Sequence, residues 1–345
     1  KITHRKVPKE NSSHVTEKSL KLSVEDKIKF SLKFSCNILY RKHCLRVLFM
    51  KKIELVDVGP RDGIQSQAAI VNTSDKIKLI SGLADSGVRR IEVASFVNPK
   101  KVPQMADVDL LIKNLPKIEN TKYIGLVLNE KGLERALDTE LDEINCATVA
   151  TDTFCQRNQG KTSHEMMSSL VSMINLAKKN NRFFGVTIAA AFGCPFEGEV
   201  SPDRVVEIAK NLIGLGVDEI SIADTIGVAV PTQVTELIYR LKPITGEVPL
   251  RLHFHNTRNT GISNVYAAIQ AGVRIFDSSC GGLGGCPFAP GATGNVGTED
   301  VLYLVDRMGF QTGISMTKLI ETSNWLGQVI GQEMPSMVNK AGVFP

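Results

Sequence analysis

From residue 51 onward the chain alternates short runs rich in Ile and Val with longer amphipathic stretches. Most of the short runs are apolar through their middles, which is typical of parallel strands covered on both faces. The strands predicted from these runs are IELVDVG (53–59), RRIEVASF (89–96), KYIGLVL (122–128), EINCATVAT (143–151), FFGVTIAAAF (183–192), EISIADT (219–225), LRLHFHN (250–256) and RIFDSSC (274–280).

The stretches between the strands predict helices with recognisable ends. Ser74, Ser163 and Ser201 are expected to cap the helices 74–87, 163–181 and 201–216. Three joints, SGVRRIEV, LGVDEISI and AGVRIFDS, repeat one pattern in which Gly stops the helix, Val packs, and a strand begins. Further helices are predicted at 104–114, 130–138, 231–241, 261–271, 298–308 and 315–331.

Strands that each precede a helix predict an α/β fold, a (β/α)8 TIM barrel with an additional C-terminal helical segment. The barrel and its C-terminal helices are expected to form one catalytic domain over residues 51–345. An open doubly wound sheet is the alternative, but it would need fewer parallel strands or a second domain. No apolar run of about 18 residues is present, so no membrane-spanning helix is expected.

The net charge of +5 is concentrated near the N-terminus. Residues 1–50 carry 12 Lys/Arg against 4 Asp/Glu, whereas the remainder carries 29 against 32, which argues against general nucleic-acid binding. We interpret 1–50 as a basic, disordered extension, with a targeting segment as the alternative. A cytoplasmic location is expected, or a mitochondrial one if the extension targets the protein. Seven cysteines without a C-x-x-C pattern favour free thiols in a reducing compartment.

Reactive side chains collect where the predicted strands end, which is the active-site face of a TIM barrel. They are Arg61 and Asp62 after the first strand, Glu92 in the second, Asp224 in the sixth, His253 and His255 in the seventh, and Cys286 and Asn295 after the eighth. Closure of the barrel would bring the residues that follow the first strand close to those of the seventh and eighth strands.

The pair His253 and His255 suggests a metal site, because side chains two apart on a strand point to the same side. Asp62 adds a carboxylate and Asn295 a carbonyl oxygen. This mixed set suits an octahedral ion such as Mg²⁺ or Mn²⁺ better than a structural zinc. The alternative is a pair of structural histidines satisfied by hydrogen bonds.

Cys286 lies in GGLGGCP, where the glycines permit unusual backbone shapes and motion, so we predict a chemical role for its thiol. Cys194 and Cys280 fit buried, inert thiols better. Arg61 either pairs with a neighbouring acid or stabilises an oxyanion, and Glu92 would orient it.

Several motifs together resemble the 3-hydroxy-3-methylglutaryl-CoA (HMG-CoA) lyase family, within a wider group of metal-dependent TIM-barrel lyases and condensing enzymes. They are VDVGPRDGIQ, IEVASFVNPKKVPQMAD, GCPFEGEVSP, ADTIGVAVP and GGLGGCPFAPGATGNVGTED. The similarity covers about residues 52–330 and leaves 1–50 without a counterpart.

The resemblance implies a role for each matching residue. The implied metal ligands are Asp62, His253, His255 and Asn295; Arg61 would stabilise an enolate, Cys286 would be a mobile catalytic cysteine, Glu92 and Asp224 would be supporting acids, and Gln65 would line the site. The implied cofactor is Mg²⁺ or Mn²⁺. The implied partner is a CoA thioester, with no nucleic acid or membrane, and a homodimer stays open.

The implied reaction is a retro-Claisen cleavage of HMG-CoA, or a close analogue, to acetyl-CoA and acetoacetate or the matching keto acid. This would be a step of leucine degradation and ketone-body metabolism. Either Asp62 or His253 would take the hydroxyl proton, and Cys286 would protonate the enolate carbon.

One segment departs from the family pattern. After the second histidine the best-known lyases usually have Asp-Thr-Tyr-Gly, but this chain has Asn256-Thr257-Arg258-Asn259. The departure leaves the acyl specificity open, and Arg258 would bind a carboxylate or a CoA phosphate, or else be a solvated loop residue. The rivals are a lyase for a longer branched 3-hydroxyglutaryl-CoA, a condensing enzyme using acetyl-CoA and a 2-keto acid, and a non-catalytic metal- or CoA-binding barrel.

Overall fold

The computed structural model of the protein describes residues 52–285 and 294–345. In this part of the chain, parallel strands close into a barrel in which the first strand pairs with the last. The barrel strands are β1 (Glu54–Asp57), β2 (Arg90–Ser95), β3 (Lys122–Val127), β4 (Glu143–Val149), β5 (Phe183–Ala189), β6 (Glu219–Asp224), β7 (Leu250–Phe254) and β8 (Ile275–Ser278). The predicted TIM barrel is confirmed. The interpretation of residues 1–50 lies outside the described residues.

Helices surround the barrel in the order that the sequence predicts. They are α1 (Thr73–Ser86), α2 (Val108–Lys113), α3 (Glu130–Leu137), α4 (Asp152–Gln159), α5 (Ser163–Lys179), α6 (Pro202–Leu215), α7 (Pro231–Thr245), α8 (Gly261–Gln270), α9 (Thr298–Arg307), α10 (Met316–Ile330) and α11 (Met337–Ala341). Where one helix was predicted over 104–114, a short 3₁₀ turn at Pro103–Met105 precedes α2. Across the described ranges, no helix is long and apolar enough to cross a membrane.

The caps of two helices differ from the predicted ones. Asn72, not Ser74, caps α1 and accepts a hydrogen bond from the Asp75 amide. Thr162, not Ser163, caps α5 in a capping box with Glu165. Ser201 caps α6 as predicted. Both wrong assignments are off by one or two residues, because several cap-forming residues stand side by side and backbone geometry decides between them.

Helix α4 and a small hairpin were not predicted. The hairpin pairs Gly193–Cys194 with Gly198–Glu199 and follows β5. The ring of Phe154 in α4 meets Phe196 of the hairpin edge-on at 5.6 Å between centroids, and the Thr153 amide donates to Glu197. The α4 sequence, DTFCQRNQ, lacks an apolar period, so these contacts with the hairpin stabilise it more than its own pattern does.

The interior of the barrel is charged at its N-terminal end. Arg90 lies at the start of β2, where Nη2 is 2.5 Å from Glu143 Oε2 and Nη1 is 2.9 Å from Glu219 Oε2. The main hydrophobic core lies outside this network, between the strands and the helices. The strands that look apolar throughout therefore carry ionised side chains at inward positions, which form a rigid floor beneath the opposite, C-terminal mouth.

Candidate active site

A tight turn places the first two site residues at the mouth of the barrel. After β1 the chain makes one π-helical turn, Gly59–Gly63, in which the amides of Arg61, Asp62 and Gly63 all donate to Val58 O. Gly59 is required there, since a Cβ would lie 2.7 Å from Asp57 Oδ1. The turn directs both Arg61 and Asp62 into the cavity that they line.

Asp62, His253 and His255 converge at this mouth. One ligand atom from each lies within 4.8 Å of the other two, and the two imidazole centroids are 5.0 Å apart. His255 Nε2 is 3.9 Å from Asp62 Oδ2. The two histidines are buried, and they reach the cluster because alternate residues of β7 face inward.

Asn295 completes the group from the opposite side. Its Nδ2 donates to Asp62 Oδ2 at 2.8 Å and to Leu283 O at 3.0 Å, so the donors of the amide are satisfied. Its Oδ1 is buried without a hydrogen-bond partner among the described residues. A cation is the natural partner for an unpaired oxygen acceptor beside a carboxylate, so these residues fit a divalent metal ion.

The protonation states of Asp62 and His255 suit metal binding. Burial alone would raise the pKa of Asp62, but Arg61 and then the two histidines outweigh it and lower this pKa to about 2. Burial, then His253, lowers the pKa of His255 to about 3. At neutral pH these two residues therefore offer an ionised carboxylate and a neutral imidazole, which are the forms that bind metals. At His253 burial lowers the pKa, but Asp277 and then Asp62 outweigh it and raise this pKa, so a metal ion would replace a proton on this ring.

Arg61 is held in a fixed direction by two acids. Its Nη1 lies 2.5 Å from Asp62 Oδ1, and its Nε contacts Glu92 Oε1. Glu92 is 1% exposed, so this ion pair is shielded from water. A guanidinium held this way is preorganised to receive negative charge that develops in the cavity.

The cavity beside Arg61 has a volume of about 180 Å³. Gln65 lines it, and its Oε1 is buried without a hydrogen-bond partner in the described part of the chain; its role at the site stays a prediction. The opposite wall is polar, with Asn145 of β4 and Thr187 of β5 joined by a hydrogen bond of 2.9 Å. A small polar ligand with oxygen groups is the kind of molecule that this space accommodates.

A model of the HMGL-like family matches residues 52–326 of the chain. The protein belongs to the HMGL-like family. This confirms the resemblance inferred from the motifs, and it makes the chain an enzyme, a carbon–carbon lyase. Together with the barrel geometry, it excludes a merely accidental likeness of short motifs.

Individual relatives agree with the family assignment. The chain is 40% identical over 307 residues to (R)-citramalyl-CoA lyase of Chloroflexus aurantiacus, covering 86% of this chain and 97% of that one. It is 37% identical to the 3-hydroxy-3-isohexenylglutaryl-CoA/hydroxy-methylglutaryl-CoA lyase of Pseudomonas aeruginosa, covering 84% and 97%. A solved HMG-CoA lyase from Acinetobacter baumannii, in complex with coenzyme A and 3-methylmalate, superposes with a TM-score of 0.82 at 37% identity, covering 86% and 98%.

Two predicted site residues of this HMGL-like lyase lie away from the cavity lining. The carboxylate of Asp224 accepts from the amides of Val228 and Ala229 at 2.9 and 3.0 Å, so it caps the loop after β6. Arg258 is exposed, and its Nη1 donates to Ile226 O and Gly227 O at 3.0 and 3.2 Å. Their assigned roles in catalysis and in substrate binding stay predictions.

The predicted cysteine, Cys286, lies outside the described residues, and its role also stays a prediction. Gly285, directly before it, lines the cavity. Cys194 and Cys280 are buried, as expected for inert thiols. Burial, followed by Glu299 and Asp57, raises the pKa of Cys280 well above its ordinary value, which disfavours the reactive thiolate.

Sequence reasoning missed the inward residues that lie between the floor and the site. Asp277 of β8 contacts His253, and Arg251 of β7 contacts Asp277. The signal was present in the alternation RLHFH, where Arg251, His253 and His255 stand two apart and share one face. The position of Asp277 beside His253 could not be predicted in this way, because it depends on the register between β7 and β8.

Proposed function

We propose that this HMGL-like lyase cleaves HMG-CoA to acetyl-CoA and acetoacetate. The observation that carries the proposal is the position of the Arg61 guanidinium, held by Glu92 directly beside the cluster of Asp62, His253 and His255. An oxygen-rich substrate bound at the cluster would have its thioester within reach of a fixed cation. The name of the Pseudomonas aeruginosa relative, which includes hydroxy-methylglutaryl-CoA lyase, supports the same substrate.

The proposed cleavage begins at the metal cluster. A divalent cation, Mg²⁺ or Mn²⁺, held by Asp62, His253, His255 and Asn295, would polarise the hydroxyl and carboxylate oxygens of the substrate. Asp62 takes the proton of the tertiary hydroxyl, because His253, the other candidate base, would have Nδ1 on Asp277 and Nε2 on the metal. The C2–C3 bond then breaks, the C3–O bond becomes a carbonyl, and the electron pair of the broken bond passes into the thioester as an enolate.

Arg61 donates to the enolate oxygen, which is where the negative charge develops. We further propose that Cys286 protonates C2, which completes acetyl-CoA. Glu92 keeps Arg61 in place throughout, since it contacts Nε of the guanidinium. The proton lost by the hydroxyl and the proton gained by C2 balance.

A second candidate substrate is citramalyl-CoA, favoured by the 40% identity to a citramalyl-CoA lyase. Its acyl group is one methylene shorter than that of HMG-CoA, and its cleavage gives acetyl-CoA and pyruvate. The two substrates need the same chemistry and differ only in where the free carboxylate lies. A longer branched 3-hydroxyglutaryl-CoA is the third candidate, supported by the 3-hydroxy-3-isohexenylglutaryl-CoA in the name of the Pseudomonas aeruginosa relative.

We propose that Arg258 influences which of these substrates the enzyme prefers. It ties the turn after β7 to the carbonyls of Ile226 and Gly227 after β6, where the best-known lyases have Tyr in the same motif. The width of the mouth between these two turns would follow from that link. A difference of one methylene in a fitted pocket is worth about 1–3 kcal/mol, so the bias can be large.

A substrate panel tests the proposal. Purified protein is incubated with HMG-CoA, citramalyl-CoA and a longer branched analogue, with Mg²⁺ or Mn²⁺ and with a chelator, and products are identified by mass spectrometry. Acetyl-CoA release that stops with the chelator is expected, with acetoacetate from HMG-CoA. Release from none of the three, with metal present, would overturn the function. Acetoacetate as the main product would support roles in leucine degradation and ketone-body metabolism.

The variant Arg258→Tyr tests the origin of the preference. We expect the ratio of kcat/KM for HMG-CoA to that for citramalyl-CoA to change by about tenfold, while the reaction itself persists. A ratio within twofold of that of the unmodified protein would remove Arg258 from the specificity argument.

A further inference from the structure

His253 and Asp277 lie next to each other across two paired strands. The register of β7 and β8 sets Asp277 directly beside His253, and His253 Nδ1 is 3.1 Å from Asp277 Oδ2. Both residues are buried, with exposures of 9% and 5%. This contact uses the ring nitrogen that faces away from the predicted metal cluster and leaves Nε2 for the cluster.

A buried cation supports the carboxylate from below. Arg251 precedes His253 by two residues on the same inward face of β7, and it is 1% exposed. Its Nε is 3.6 Å from Asp277 Oδ1 and 3.2 Å from Glu219 Oε1. The ion pairs connect the charged floor of the barrel to the site through Arg251, Asp277 and His253 in turn.

The chemistry of this contact fixes the state of the imidazole. An ionised carboxylate only accepts hydrogen bonds, so Nδ1 of His253 must carry the hydrogen. The lone pair of a neutral ring is then on Nε2. His255 differs, because within residues 52–285 and 294–345 its buried Nδ1 has no hydrogen-bond partner and no comparable contact sets its tautomer.

We propose that Asp277, held by Arg251, is a positioning residue that fixes the ring and the tautomer of His253 for metal binding. The inference rests on the proposed metal-dependent function for its purpose, but the contact itself does not depend on a metal. A carboxylate that accepts a hydrogen bond from a ligating histidine raises the affinity of the site for the metal, because the ring is already oriented before the ion binds.

Metal affinity is the first test. Titration calorimetry with Mn²⁺ compares the unmodified protein with Asp277→Asn, which keeps the size of the side chain and removes its charge. We expect the dissociation constant to rise about 10- to 100-fold. The matched control is Glu143→Gln, an equally buried carboxylate of the same barrel that contacts Arg90 and no candidate ligand. We expect its dissociation constant to stay within twofold, and equal affinity in Asp277→Asn would overturn the proposal.

The tautomer is the second test, and it needs neither metal nor a variant that folds poorly. Nitrogen NMR of ¹⁵N-histidine-labelled, metal-free protein distinguishes a ring protonated at Nδ1 from one protonated at Nε2, with His253→Asn giving the assignment. Spectra are recorded at increasing pH until the ring of His253 is neutral. We expect the neutral ring to carry its hydrogen on Nδ1, and a neutral ring with the hydrogen on Nε2 would overturn the inference. If the unmodified protein binds no Mn²⁺, the proposed metal-dependent function fails, and the NMR result alone decides the role of Asp277.

Discussion

Replacing Arg61 by Met separates a structural role of this residue from a catalytic one. The guanidinium contacts Asp62 and Glu92, and both carboxylates are at least 85% buried in their side chains. Met keeps most of the aliphatic volume and removes the charge. The variant therefore leaves Glu92, whose side chain is 1% exposed, without its ion-pair partner.

Two effects of different kinds are expected. Leaving a buried charge without its partner costs about 3–5 kcal/mol of the free energy of unfolding. Removing the donor that meets the enolate lowers kcat about 10²- to 10³-fold. The second variant, Arg61→Met with Glu92→Gln, removes the stranded charge of Glu92 but still leaves Asp62 without Arg61, so we expect its stability to recover most of the loss while kcat stays low.

The measurements are urea unfolding and acetyl-CoA release from the preferred substrate with Mg²⁺. An exposed ion pair supplies the control, because Arg135 contacts Asp109 with side chains 36% and 70% exposed, and Arg135→Met should change stability by less than about 1 kcal/mol without altering kcat. If the double variant recovers both stability and kcat, Arg61 has only a structural role. If Arg61→Met is as stable as the unmodified protein, the argument from the buried pair is wrong.

Three further predictions concern metal, pH and the barrel floor. Mn²⁺ at 100 times its dissociation constant should stabilise the protein by about 2.7 kcal/mol, and Asp62→Asn should abolish the shift in Tm. Burial raises the pKa of Glu299 from 4.5 to about 8, so its contribution to stability is complete below pH 4.5 and is lost as the pH rises through 8. In the unmodified protein, Glu299 should lower the free energy of unfolding by at most about 5 kcal/mol between those pH values. Glu299→Gln should abolish this fall, as measured by urea unfolding at pH 5 and 8.5. An unchanged pH dependence in the variant would refute the raised pKa of Glu299. Arg90→Met should lower the free energy of unfolding by at most about 3–5 kcal/mol, because the buried Glu143 and Glu219 each lose one of two ion-pair partners and keep Lys122 and Arg251, respectively; an unchanged value on thermal or urea unfolding would contradict this expectation.

The sequence by itself determined the architecture and the identity of most site residues. Apolar runs that alternate with amphipathic stretches specify parallel strands joined by helices, and a barrel puts the ends of all its strands on one face. This is why Arg61 and Asp62 could be grouped with His253 and His255 from a stretch nearly 200 residues later. Alternation along one strand is a local property, and it was sufficient to put both histidines on the same side.

Only the tertiary structure decided which side chains meet. Asp277 faces His253 because barrel closure fixes the register between β7 and β8, and no pattern within either strand contains that information. The same holds for Arg258, whose partners are the carbonyls of Ile226 and Gly227 in the turn after β6. The apolar runs also gave no indication of the charged floor. Inward-facing residues of these strands are ionised because other strands of the barrel supply the opposite charge.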